Sequence, residues 1–514
     1  MLPSPSNRAI NKTTSIPAPV GGLNAIDSIA NMPPTDADIL ENWFPSTTSV
    51  DVRNGYTAWQ TGITGWVETI MPYNGNTTKS LFAAANGHFY DVTTKGGTPS
   101  SVASGFTSNR WIYVNVGTSG GKYIYAVNGT DSAQLYDGTS WAAVTGVTVP
   151  IALTGIATTS LSSVTLYGQR LWFIQKNSCI VWYLAAGAIG GALTSLDLTQ
   201  LFVMGGTLVA AIPWTVDNVS GISQYLAFIS SEGEVIVYQG FDPSSSSTFY
   251  KTAQFRIGRP IGNRPWCQVA GDVNIITADG LYPLSKALMA ERDDLKDAIS
   301  AKIVTKIKSD VSSYNANFGW QVILSPIGNK LIVNVPMVEN SSQYQYVMNT
   351  ITQAWTKFSG WNAACFEYQS DKLFFGGNGG VFQADTGATD NGSNIVTKAR
   401  QAFNYLGAPG QNKIVTMVRP IFLATGDVQP SLSVNVDFKT TLPSSLPSYS
   451  STGSPWGTSP WNTSPWSSSE DIQADWQTVG GIGKAVTIYI GTASQGQSVK
   501  WQATDYLYQI GGIL

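Results

Sequence analysis

One alternation repeats along most of the chain: an apolar run, a tight polar turn, and a second apolar run carrying a Tyr or Phe. It reads as LFAAANGHFYDV (81–92), KYIYAVNGTDSAQLYDG (122–138), RLWFIQKNSCIVWYL (170–184) and YLAFISSEGEVIVYQG (225–240). It continues as VNIITADGLYPLS (273–285), LIVNVPMVENSSQYQYVMN (331–349) and KLFFGGNGGVFQADTG (372–387). Each pair of runs predicts a β-hairpin, and Asn86-Gly87, Asn128-Gly129, Glu232-Gly233, Asp279-Gly280 and Asn378-Gly379 supply the turn chemistry. The anchors of the second runs are Tyr90, Tyr136, Tyr183, Tyr238, Tyr282, Met348 and Phe382. From Tyr90 to Phe382 their mean spacing is about 49 residues, close to one four-stranded propeller blade. The pattern predicts an all-β chain built on a β-propeller of six to eight blades. A pair of β-sandwiches is the rival all-β reading, because it also places turns at regular intervals.

Around this body the pattern changes. Residues 1–40 are rich in Pro, Ser and Asn and read as an extended arm lying over other structure. The propeller body is expected over 41–394, with two insertions. One is a long Gly-rich loop at 185–220, a candidate gate. The other is a helix at 284–310, where Leu295, Ile299, Ile303 and Ile307 recur every four residues and form one apolar face. It serves either as a surface helix on one blade or as a subunit contact. Residues 395–514 predict a smaller C-terminal β domain, interrupted by a Trp-rich loop at 453–468.

Composition sharpens the picture. Charged residues make up only 12% of the 514, against 43% hydrophobic, so Ser, Thr, Asn, Gln and Gly supply the polar surface. A Thr/Ser-rich β protein and a subunit buried against neighbours both have this signature. The net charge of −3 and pI near 5.3 lack the basic excess of a dedicated nucleic-acid binder. A conduit for DNA needs no such excess, since a weakly acidic wall lets phosphate slide. Three scattered cysteines, Cys179, Cys267 and Cys365, suit a reducing cytoplasm and make no metal pattern. The start MLPSPSNRAINKTT has no apolar signal core, and the most apolar stretch, LVAAIPW at 208–214, is too short to span a bilayer.

Catalytic motifs are sparse. The single histidine, His88, sits in the turn ANGHFY, where a structural role outweighs a triad. There is no GxSxG elbow or Walker loop, and the glycines of GGNGG (376–380) fit a hairpin better than a phosphate cradle. YDGTSW (136–141) resembles the turn box of sialidase-type propellers only superficially, with Leu135 where Ser or Thr belongs. Carboxylate pairing for glycoside cleavage is a three-dimensional matter that spacing leaves open. The chain is expected to be no enzyme, with no cofactor and no metal.

Two clusters remain. Arg256, Arg259 and Arg264 lie within FRIGRPIGNRP and suit either phosphate contact at a channel wall or ordinary interface ion pairs. Trp456, Trp461 and Trp466 recur every five residues, which matches neither strand nor helix and places them on a loop. They suit contact with a partner protein or sugar, or packing onto their own domain.

Several runs are similar, in order, to the tail nozzle proteins of short-tailed bacteriophages, also called packaged-DNA stabilisation proteins. They are ENWFPSTTSVDVRNGYTAW (41–59), AVNGTDSAQLYDGTSW (126–141), ISSEGEVIVYQGFDPSSSSTFYKTAQFRIGRPIG (229–262), ITADGLYPLSKAL (276–288) and MNTITQAWTKFSGW (348–361). The likeness spans roughly residues 40–390. It implies a structural virion protein, assembled in the host cytoplasm into a homohexameric ring below the phage portal and adaptor proteins. Such a ring retains packaged DNA, passes the duplex without sequence specificity during ejection, and carries tail spikes or fibres. The family has no catalytic residues to transfer and does not itself insert into a membrane. The alternative is a host-surface glycan-binding or glycan-cleaving propeller of the tail.

Overall fold

The computed structural model describes residues 11–218, 221–269, 271–289, 298–443 and 470–511. They form a seven-bladed β-propeller joined to a β-sandwich. Blades one to four are separate four-stranded antiparallel sheets: Thr69–Asn74 to Ser100–Ser104, Ile112–Thr118 to Trp141–Val144, Leu161–Tyr167 to Thr194–Asp197, and Leu208–Asn218 to Phe249–Arg256. Blade five has three strands, Trp266–Val269, Asp272–Thr277 and Gly280–Pro283. Blade six (Gln321–Ser325, Lys330–Val338, Ser342–Asn349, Trp355–Ser359) is part of a larger nine-stranded sheet. Blade seven takes Cys365–Gln369 and Lys372–Ala384 from late in the chain and Tyr56–Trp66 from early in it.

The strands read as continuous apolar runs because each blade is covered on both faces. In Arg170–Gln175, Leu171 and Phe173 pack toward blade two, while Trp172 and Ile174 pack toward blade four. In Lys79–Ala85, Phe82 and Ala84 face blade two, and Leu81, Ala83 and Ala85 face blade seven. Period-2 geometry thus feeds two cores from one strand. Each fully buried large side chain contributes about 1.5–3 kcal/mol. Among the described residues six such cores lie between blades, the one between blades five and six merges with the sandwich core, and blade seven joins blade one through Ile63, Val67, Ile70, Phe374 and Val381.

Both chain ends build the sandwich. Asn11–Pro17 pairs antiparallel with Val499–Ile510, from Asn11↔Gln509 to Pro17↔Ala503. Val499–Ile510 pairs on its other side with Lys413–Ala424. The facing sheet runs Asp36–Glu41, Ile395–Gln401, Val486–Ser494 and Ser431–Val436. It is continuous with blade six, where Glu41 lies beside Lys357. Trp43, at the start of the short strand Trp43–Pro45, is fully buried and stacks on Phe422 with rings 5° from parallel. The segment 41–52 therefore belongs to the sandwich, and the propeller starts at Tyr56.

Three local expectations change. Among the described residues the 284–310 helix is interrupted at 298–300: helix runs over Leu284–Met289 and Val304–Tyr314, and Leu295 lies outside the described residues. At Ile299 the backbone N–H donates to the Leu281 carbonyl (3.1 Å), and Ser300 Oγ accepts the Leu281 N–H (2.9 Å). The chain there docks along the edge of blade five, which uses the groups a helix would need. The 185–220 stretch holds the outer strand of blade three and the inner strand of blade four. Its bend at Val203–Met204 is anchored by the buried Glu234 carboxylate, which accepts both backbone N–H groups (3.3 and 2.7 Å).

The third change concerns GGNGG. Lys372–Ala384 does not turn at Asn378-Gly379 but runs on as one bulged strand. The hairpin turn lies earlier, at Ser370 and Asp371, both with positive φ (50° and 61°). The glycines serve close approach instead. A Cβ at Gly376 would stand 2.3 Å from the Val67 carbonyl oxygen, and one at Gly380 would stand 2.2 Å from that of Gln60.

Candidate functional site

The innermost strands of the blades surround an axial cavity of about 340 Å³. Apolar walls come from Ile112, Val114, Val164, Val209, Ala210 and Val322, and polar groups come chiefly from Tyr113, Arg264, Gln321 and Glu367. Side-chain amides bind neighbouring blades to one another around it. Gln321 exchanges two hydrogen bonds with the Phe366 backbone (2.8 Å each), Asn115 Nδ2 donates to the Pro72 carbonyl (2.9 Å), and Gln369 Nε2 donates to the Tyr73 and Ser80 carbonyls (3.2 and 3.0 Å).

Arg264 is the central tie. It stands just before blade five, and its Nη2 donates to Thr69 Oγ1 of blade one (2.8 Å) and to the Trp111 carbonyl at the start of blade two (3.0 Å). The Glu68 carbonyl lies 3.4 Å from both terminal nitrogens. At the same mouth the Glu68 carboxylate accepts from Arg110 (3.0 Å) and from Asn340 Nδ2 (3.2 Å). Arg110 also pairs with Glu339, and its guanidinium lies 4.2 Å from the centre of the Phe318 ring. Glu339 in turn accepts the Phe318 N–H (3.0 Å). Blade six's long hairpin thus reaches across to blades one and two at this end of the axis.

Deeper in, the Tyr113 hydroxyl donates to the Glu367 carboxylate. Burial pushes the Glu367 carboxyl above its ordinary range, against the pull of the Tyr113 hydroxyl, the Tyr368 N–H and the Arg264 charge. Burial beside that carboxylate also drives the Tyr113 phenol well up. Among the described residues lining this cavity, Glu367 is the one carboxylate.

The arginine cluster disperses. Arg256 ends the exposed outer strand of blade four, and Arg259 is 67% exposed and pairs with Glu232 at 2.6 Å. Only Arg264 reaches the axial cavity, where its hydrogen bonds go to the protein itself. Trp456, Trp461 and Trp466 lie outside the described residues. His88 bonds Ser101 Oγ through Nδ1 (3.0 Å) on the outer side of blade one. Among the described residues no group of His, Cys, Asp and Glu has metal-site geometry, and no helix is long and apolar enough to cross a membrane. Tyr113, Gln321 and Glu367 were not singled out by sequence. The available signal was a lone carboxylate in the otherwise apolar run AACFEY, in a chain poor in charge.

No family model and no curated protein matches the chain. Among solved structures it is similar to YCF48 bound to a D1 peptide, with 10% identity and a TM-score of 0.33 over 72% of this chain and 99% of that one. It is similar to YCF48 from Cyanidioschyzon merolae, with 12% identity and a TM-score of 0.33 over 67% and 98%. A third is an exo-beta-1,3-galactanase from Phanerochaete chrysosporium with galactose, at 9% identity and a TM-score of 0.25 over 77% and 95%. At these scores the likenesses carry no argument about activity or ligand.

Proposed function

We propose that this chain is a wall subunit of a bacteriophage tail nozzle, a homohexameric ring that retains packaged DNA and forms the conduit for its ejection. The reading starts from the ordered resemblance of residues 40–390. The runs that carry it lie in blades two, four, five and six and in the strands 43–45 and 50–52 that tie propeller to sandwich. One structural observation supports it most. Blades one, two, five and six are tied to one another near the axis by Arg264 and the Glu68–Arg110–Glu339 network, and the propeller is fused to the sandwich by one continuous sheet. Such a body deforms poorly and suits a rigid wall. A cavity of about 340 Å³ is of small-ligand size. In this reading the duplex therefore passes along a lumen lined by several copies, not through any one propeller. Portal and adaptor proteins would seat the ring, and spikes or fibres would attach around it.

Electron microscopy of the intact particle tests this. The expected result is six copies of this chain around the tail axis, distal to the portal. Density off the axis, or within a fibre, overturns it. Release of sugar from a host glycan by the purified chain would favour the glycan-cleaving alternative.

A further inference from the structure

A second cleft of ligand size, about 360 Å³, lies where the sandwich, the helix Val304–Tyr314 and blade six meet. Its charged lining is Asp38 and Glu41 from the sandwich strand, Lys306 and Asp310 from the helix, and Lys357 from blade six. Tyr344 and Tyr346 form its aromatic side, edge to face with ring centres 5.4 Å apart. Leu23, Ile39 and Leu40 add apolar surface.

The carboxylates are held in place, and each retains acceptor capacity. Asp38 accepts Arg400 Nε through both oxygens (2.9 and 3.0 Å). Glu41 Oε1 accepts from Ser359 Oγ (2.6 Å), and Asp310 Oδ2 accepts from the Tyr346 hydroxyl (2.7 Å). An ionised carboxylate offers about four acceptor sites, so most of the capacity of Glu41 is unused, and Asp310, which also interacts with the Tyr344 hydroxyl, keeps part of its own. The two lysines are the opposite case. Lys357 Nζ sits 4.0 Å from the centre of the Tyr344 ring with no acceptor among the described residues. Lys306, half-buried, has no partner among them. Half-buried ammonium groups lose part of their hydration and gain by meeting an acceptor.

The cleft thus carries spare donors and spare acceptors side by side. An oxyanion would satisfy the lysines and face Glu41 and Asp310. A cationic amine would satisfy the carboxylates and face the lysines. A ring of hydroxyl groups satisfies both, because each hydroxyl donates one hydrogen bond and accepts others. Tyr344, Tyr346, Leu23 and Leu40 line the cleft from nearly buried positions, with Lys357 Nζ over the Tyr344 ring, so hydrogen bonding carries the recognition. We propose that this cleft binds one neutral sugar unit. The inference is independent of the nozzle reading and of the Trp456, Trp461 and Trp466 segment.

The test is saturation-transfer NMR and calorimetric titration of the full chain with free galactose, glucose, rhamnose and N-acetylglucosamine. Inorganic phosphate and spermidine serve as competitors of single sign. At least one sugar should bind, with neither competitor displacing it. Lys306→Met and Lys357→Met should each weaken it about ten-fold, the loss of one hydrogen bond to a charged group. Lys306→Arg should retain binding, and unchanged thermal midpoints establish that the variants are folded. No signal from any sugar overturns the proposal, as does binding of phosphate alone. So does sugar binding that survives both methionine variants but is lost when Trp456, Trp461 and Trp466 are all changed to Ala.

Discussion

Arg264 Nη2 donates to Thr69 Oγ1 at 2.8 Å, joining the approach to blade five to the innermost strand of blade one across the propeller axis. Thr69 is itself fully buried, donates to the Asn109 carbonyl (2.7 Å) and accepts the Trp111 N–H (3.0 Å). One guanidinium thus ties three blades. Arg264→Ala leaves the Trp111 and Glu68 carbonyls short of a donor and should destabilise the chain by about 2–4 kcal/mol in urea melts. Arg256→Ala and Arg259→Ala, at exposed positions, should stay within about 0.5 kcal/mol of the parent. Equal effects at all three positions would contradict the assignment.

The Glu367 carboxyl gives the axis a pH signature. Burial raises its folded-state value above the ordinary 4.5, so the folded protein holds that proton more tightly than the unfolded chain does. Stability from this group is fully present below the unfolded value and is lost as pH rises through the folded one. Glu367→Gln keeps an acceptor for the Tyr113 hydroxyl and removes the ionisation. Relative to parent, the variant should therefore be more stable at pH 7.5 than at pH 4.5, read from paired urea melts at the two pH values. A stability difference independent of pH would refute the shift.

Much of the fold was legible because a propeller blade is local. Its two middle strands are neighbours in sequence, and the hairpins at 81–92, 122–138, 170–184, 225–240, 273–285 and 331–349 mark blades one to six. Blade seven was obscured because its third strand, Tyr56–Trp66, lies more than 300 residues before its second. Gly-rich GGNGG carries the same letters whether it turns or lets two strands approach closely, and only the partner strand decides which. The sandwich was split for the same reason: Asn11–Pro17 reads as an arm until Val499–Ile510 is beside it. The arginine cluster is a different case. Within nine residues the chain passes from an outer strand to the axis, so neighbours in sequence face three environments. The cavity residues Tyr113 and Glu367, 254 positions apart, had no local spacing to reveal them.

Thiol chemistry provides a check on how tightly the inter-blade cores are packed. Burial pushes the Cys365 thiol up to about 11 and the Cys267 thiol up to about 12. At pH 8 only about one Cys365 side chain in a thousand is thiolate, the reactive form. Cys365 lies in the core between blades seven and one, its Sγ 3.5 Å from the Val67 carbonyl oxygen. Native protein should leave Cys365, which is buried, unmodified by a thiol-reactive disulfide reagent over minutes, while all three cysteines react in denaturant. Rapid labelling of Cys365 in the native state would show that the blade-seven seam opens.

Blade seven is closed by pairing a late strand, Lys372–Ala384, with an early one, Tyr56–Trp66. Gly380 faces Thr61, and a Cβ there would meet the Gln60 carbonyl oxygen at 2.2 Å. The obstacle is backbone, not the movable end of a side chain, so Gly380→Ala has to push Tyr56–Trp66 away from Lys372–Ala384. Overpacking of this kind costs about 1–3 kcal/mol. Gly379→Ala tests the neighbouring position, where the nearest atom lies 3.9 Å from the added carbon but φ is +79°. Its cost is conformational, about 1 kcal/mol, and leaves the strand pairing in place. Hydrogen exchange separates the two. Gly380→Ala should lose protection along 56–61 and 381–384 together, since these segments share the ladder. Gly379→Ala should lower the thermal midpoint without exposing either strand. If Gly380→Ala kept full protection on both segments, blade seven would not be closed by the early strand.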